Sequence, residues 1–320
     1  RWILPAIMLM FFRYSTDASV ESTVKRMSME LFDKEEASSR VYNNVRNADV
    51  EMMVIAKERC LAMWEIFEPY ADNHFVKEIK RDFNARFWEM DLTCTLLELG
   101  YDVECPKPGP DVKIEGNIWI EAICPTGGQE NSPDKVPDIV TGIAQSIKSE
   151  PIALRFTSAI LEKHRKYLGY IEDGVISESE PYIIAVNSNQ IPSARLDFPL
   201  PRIVRAVLSI GSEYITFDRD SAEVIGGGFY YQASISKSNG SEVPTDIFFD
   251  EKYQGISAIL YSCVDLCNRS DKLGQDYILI HNPFAINPIK KGLLGVGREA
   301  TVSIDSEVEY SIRWIEHEVA

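Results

Sequence analysis

The sequence predicts an α/β protein: a helical N-terminal region followed by a sheet-containing body with extra C-terminal strands. Three observations lead there. From Ser15 to about Gly100 the chain is almost free of Pro and Gly, and apolar residues recur at helical spacing. After Gly100 the texture changes to short β-type runs separated by Pro and Gly. Between residues 76 and 187 the signals run helix, strand, strand, strand, helix, strand. With 320 residues, 45% hydrophobic and 26% charged, collagenous and wholly disordered chains are excluded.

Taken in order, Val50, Met53, Ala56, Cys60, Met63, Trp64 and Phe67 mark a helix that Pro69 ends. A second long helix is expected from about Val76 to Leu99, with Gly100 in the C-cap position. Strands follow at 101–105, 112–114 and 118–123, as a three-stranded meander. Residues 125–138, with three prolines and two glycines, read as a loop. A helix from about Ile152 to Tyr170 leads into the strongly apolar strand Tyr182–Asn187. Beyond residue 200 come a short helix near Arg202–Ser209, a turn or bulge at Gly226-Gly-Gly, and strands at 256–261 and 277–281. The tail from about Gly292 alternates weakly. These signals divide the chain into a helical region at 1–72, a body at 73–290 and a β tail at 291–320.

Residues 3–12 are apolar but interrupted by Pro5, and ten residues fall short of the ~20 that span a bilayer. They read as a buried N-terminal element or a non-native remnant, and no membrane partner is expected. Six cysteines match neither a zinc ribbon nor a dense disulfide framework, which favours a reducing, cytoplasmic setting. The formal charge of −16 argues against a surface that grips polyanions everywhere, so any nucleic-acid site has to be local. Arg155, Lys163, Arg165 and Lys166 stand against Glu162 alone on one helix, and they are the strongest basic strip.

Three carboxylates carry the chemistry. Glu121 sits inside an apolar strand, where a lone ionised carboxylate is costly unless paired or metal-bound. Asp111 follows Gly109-Pro110 at the start of the neighbouring strand, so the two acids of one hairpin can converge. Glu89 lies near the middle of the preceding helix and can add a third oxygen ligand. Hard cations such as Mg²⁺ favour such carboxylates and activate water against a phosphodiester.

The stretch running from Arg86-Phe-Trp-Glu-Met through Gly-Pro-Asp111 to Ile-Trp-Ile-Glu121-Ala resembles the core of the PD-(D/E)XK nuclease superfamily, over about residues 76–190. The resemblance implies a restriction-endonuclease-like core, a mixed sheet flanked by helices, and a metal-dependent nuclease acting on DNA more than RNA. It implies Glu89, Asp111, Glu121 and the backbone carbonyl of Ile123 as ligands of Mg²⁺ or Mn²⁺. One departure is plain: the family's lysine two residues after the third-strand acid is replaced by Ile123. Some members draw this lysine from the next helix, which here offers Lys163, with Lys166 as a substitute and Arg155 as a phosphate clamp. The alternative alignment, with Asp102 as first acid and Asp111-Val-Lys113 as the acid and lysine, leaves Glu121 without a role. The missing lysine equally suits a catalytically inactive member of the fold that binds nucleic acid or a protein. The helical first third is a surface through which the chain could form a homo-oligomer.

Plainer readings stand beside these. The run Lys163-His-Arg-Lys166 could be a solvated face, His281 a strand-end histidine bonded to a turn, and Trp88 and Trp119 core aromatics.

Overall fold

Gly100 separates two kinds of structure in the computed structural model, which describes residues 29–196, 200–305 and 309–317. The apolar segment at 3–12 lies outside the described residues. Before Gly100 come α1 (Arg40–Arg46), α2 (Glu51–Phe67), α3 (Phe75–Ile79) and α4 (Phe83–Glu98). The single helix expected over 76–99 is therefore two. Asp82 explains the break: its side chain accepts from the Ala85 N–H at 3.1 Å, an N-cap that restarts the helix at Phe83. At the other end Gly100 takes φ +84°, and the Tyr101 N–H bonds back to the Leu96 carbonyl at 3.1 Å, reversing the chain.

The meander follows as β1 (Val103–Glu104), β2 (Val112–Ile114) and β3 (Ile118–Ile123). Then come α5 (Ser149–Glu172), β4 (Tyr182–Asn187) and α6 (Arg202–Val207). Two hairpins, β5 (Ile210–Phe217) with β6 (Val224–Tyr231) and β7 (Ser234–Ser236) with β8 (Glu242–Pro244), precede β9 (Ile256–Ser262) and β10 (Ile278–His281). The chain closes with β11 (Arg298–Ile304) and β12 (Tyr310–Glu316).

Eight strands form one mixed sheet in the order β1, β2, β3, β4, β9, β10, β11, β12. The β3–β4, β4–β9 and β10–β11 pairs are parallel and the rest antiparallel. The tail after residue 291 thus continues the same sheet, with β11 beside β10.

All six residues of β4 are buried, which requires cover on both faces. Ile183 and Ala185 face a core that holds Phe87, Trp88 and Leu92 of α4. The Trp88 indole N–H donates to the Ala185 carbonyl at 3.0 Å, fixing α4 on the sheet. Tyr182, Ile184 and Val186 face the other core, with Ile152, Phe156 and Ile160 of α5 and Ile203 and Val207 of α6. The Gly226-Gly-Gly run lies inside β6, beside an irregularity in its register with β5. A Cβ on Gly227 would stand 2.8 Å from the Tyr214 carbonyl oxygen, so close pairing with β5 is what needs glycine there.

Candidate active site

The alternation of β3 sets the site. Ile120 turns to the core under α4, and Trp119 to the core under α5. Glu121 turns to the α5 side as well, and no part of it is exposed to water. A buried carboxylate needs partners. They come from α5: Lys163 Nζ stands 2.7 Å, and Lys166 Nζ 2.6 Å, from Glu121 Oε1. Tyr170, one turn further along the same face, places its hydroxyl 3.4 Å from Glu121 Oε2 and donates to the Gly109 carbonyl at 3.0 Å.

Asp111 reaches the same place from the facing strand. Val112 pairs with Ile120, which sets Asp111 opposite Glu121 one position on. Asp111 Oδ2 accepts from the Ala122 N–H at 2.8 Å, and Lys107 Nζ lies 3.9 Å from Oδ1. Glu89 arrives from α4, with Arg86 one turn earlier holding its Oε2 at 2.5 Å while also pairing with Glu78. Burial pushes the Glu89 carboxyl up and the Asp111 charge adds to it; Arg86 and Lys107 pull it back, to about 7. For Lys166 burial opposes the charge, but the Glu121 carboxylate it bonds and the nearby Tyr170 hydroxyl hold the ammonium above the usual lysine range.

Glu89, Asp111, Glu121, Ile123, Arg155, Lys163 and Lys166 all line one cleft of about 480 Å³. Two helices and a hairpin thus bring these seven residues together, while Arg165 of the basic strip does not line the cleft. Arg155 lies under the loop after β3: a Cβ on Gly128, at φ +112°, would be 3.1 Å from its Nη1, so only glycine lets the loop pass there. The Arg155 Nε is buried and has no hydrogen-bond partner among the described residues. Among those residues, no three His, Cys, Asp or Glu side chains are gathered as a preformed metal site.

Other residues go elsewhere. Asp102 and Lys113 do not line the cleft; Lys113 pairs with Glu180 at 3.3 Å and sits 4.3 Å above the Trp119 ring. His281 meets buried Glu299 at 2.8 Å instead of a turn, and His317 shares that carboxylate at 3.0 Å. Trp88 and Trp119 are both core residues.

Tyr170 and Lys107 were not evident from the sequence. Tyr170 carried a signal, since Lys163, Lys166 and Tyr170 follow the spacing of one helix face. Lys107 carried none, because its approach to Asp111 depends on how the segment before β2 folds back. Comparison of the chain with protein-family models, curated proteins and solved structures found no match.

Proposed function

We propose that this cleft hydrolyses nucleic-acid phosphodiesters, DNA in preference to RNA, with Mg²⁺ or Mn²⁺, on a core of the PD-(D/E)XK type. One observation supports the reading: Glu89, Asp111 and buried Glu121 line the same cleft as the paired ammoniums of α5. The succession of α4, antiparallel β1 to β3, α5 and parallel β4 is in keeping with it.

The donors suit a hard cation. Mg²⁺ is commonly held by one or two carboxylates and keeps several waters, so a preassembled cage is not required. Burial first, and the Asp111 charge second, disfavour an ionised Glu89, and a cation between the two acids would offset both. Glu121 can contribute Oε2, the oxygen the lysines leave, and Ile123 its backbone carbonyl. When bound, the cation would supply Lewis acidity and a lowered pKa for its water. The chain's own groups do the rest. Lys163 orients the attacking water and offsets charge developing on the phosphate, while Arg155 and Lys166 hold the phosphates beside it.

Cleavage of labelled duplex DNA should require Mg²⁺ or Mn²⁺, stop with chelator, and fall about a hundredfold or more in Asp111→Asn. Chelator-insensitive cleavage, or full activity in that variant, would exclude the reading. A second reading is favoured by two features: both ammoniums share Glu121 Oε1, and Ile123 occupies the position where the family keeps its lysine. On that reading the chain is a catalytically inactive member of the fold that binds nucleic acid or a protein. Titration calorimetry with Mn²⁺ separates the two, since heat of binding that is lost in Asp111→Asn belongs only to the first.

A further inference from the structure

Strand β12 ends the main sheet, with β11 on one side and, among the described residues, no strand on the other. Its alternation sends Tyr310, Ile312 and Trp314 to one half-buried face, while Ser311 and Arg313 turn away and are exposed. That face and the β5–β6 hairpin line a groove of about 650 Å³, and on the hairpin the Tyr214 and Tyr230 rings pack 5.0 Å apart. The Tyr310 ring is fixed, since its hydroxyl donates to the Leu208 carbonyl and Phe249 packs 5.1 Å away. Tyr230 and Tyr231 are 63% and 69% exposed, a large aromatic surface to leave in water.

The charges of this groove have one sign. Asp305 and Glu309 line it, joined by the bond from the Asp305 N–H to the Glu309 carbonyl at 2.9 Å, and among the described residues no lysine or arginine does. Aromatic faces are negative too, so the groove repels a polyanion and offers a cation both carboxylates and rings. The chain already uses two of the lining rings in this way: Arg205 lies over Phe229 at 5.4 Å and Arg298 over Trp314 at 4.7 Å. A guanidinium suits such a place better than an ammonium, because it is flat, stacks on rings and meets a carboxylate with two parallel hydrogen bonds. An edge strand beside the groove supplies backbone groups to which an extended chain can add.

We propose that this groove binds an extended, arginine-bearing segment of another protein. The segment adds to the outer edge of β12, and its guanidinium lies on the tyrosines of the groove and pairs with Asp305 or Glu309. The groove shares no lining residue with the cleft of Glu121, so the inference does not depend on the chemistry there.

The probe is a fluorescein-labelled peptide of alternating valine and arginine, beside a neutral counterpart with citrulline at each arginine. With the full chain, anisotropy should show saturable binding of the arginine peptide below about 1 mM, and binding about tenfold weaker or worse for the citrulline peptide. Tyr230→Ala removes a ring without changing the charge, and should weaken the arginine peptide about fivefold. Asp305→Asn combined with Glu309→Gln should weaken it as much. Glu58→Gln combined with Glu65→Gln removes the same charge from α2, outside the groove, and should leave the affinity within about twofold. All five side chains are exposed, so these changes leave the fold intact. Equal affinity for the two peptides, full affinity in Tyr230→Ala, equal losses in the two acid pairs, or no binding of either peptide would each overturn the inference.

Discussion

A carboxylate with no access to water, set within Ile118-Trp-Ile-Glu-Ala-Ile123, persists because two ammoniums reach it. Removing it leaves Lys163 charged in a nearly buried position. Glu121→Ala should therefore destabilise the fold near the lower end of about 3–5 kcal/mol, since half-exposed Lys166 can turn to water. Adding Lys163→Met should restore part of that loss. Urea denaturation at constant m-value measures both, and a cost below about 1 kcal/mol for the single change would show that the pair is not needed for folding. The Glu89 carboxyl sets a pH dependence. Its folded value, about 7, lies above the 4.5 of an unperturbed side chain, so the folded state binds the extra proton between them. Stability of the metal-free protein should then fall as pH rises from about 4.5 to about 7, by a contribution on the order of 3 kcal/mol. Glu89→Gln should flatten that part of the curve; melting in chelator at steps of pH reads the difference. Of the site residues, Glu121 was the most legible, because a charge inside an apolar strand demands a reason. Glu89 was legible only by its distance from the other two acids, since nothing about a mid-helix glutamate distinguishes it from a solvated one.

The elements were legible where one physical signal dominated. The strand at Tyr182–Asn187 and the helix beginning near Ile152 appear almost as read, because a wholly apolar run and a strongly amphipathic one admit few alternatives. The break at Asp82 was missed, since helical periodicity continues across it and only the cap hydrogen bond restarts the helix. Asp82→Ala should thus cost about 1 kcal/mol and loosen the first turn of α4, which forms one wall of the cleft. Gly226-Gly-Gly lacks the strand, helix and lysine context of a phosphate loop and so reads as a turn or bulge, whereas its place within β6 follows from contact with β5, a long-range fact. Gly227→Val should disrupt the β5–β6 hairpin, seen as faster amide exchange there, while amides of β4 and β9 keep their protection. Equal loss of protection in β4 would show that the hairpin and the main sheet unfold together.

For the whole molecule, the net charge of −16 and the basic strip on α5 set what a nucleic acid would meet. Most of the surface repels it; Arg155, Lys163, Arg165 and Lys166 attract it, and two of these are partly spent on Glu121. Binding to DNA should accordingly be weak and end within moderate salt, with a slope of log K against log salt no steeper than about −4. A steeper slope would require cations beyond this strip. The eight-stranded sheet gives the strip a fixed relation to the acids, since α4 and α5 pack on its opposite faces and both reach the cleft. That relation depends on contacts between distant parts of the chain. The sequence supplied the order of elements and the residues, but not the packing that joins them. The most direct measurement is Mg²⁺-dependent cleavage of labelled DNA by the wild-type chain beside a variant combining Asp111→Asn, Glu121→Gln and Lys163→Ala. Cleavage by the wild type that vanishes in the variant is the expected result; metal-dependent cleavage that survives all three changes would contradict the account.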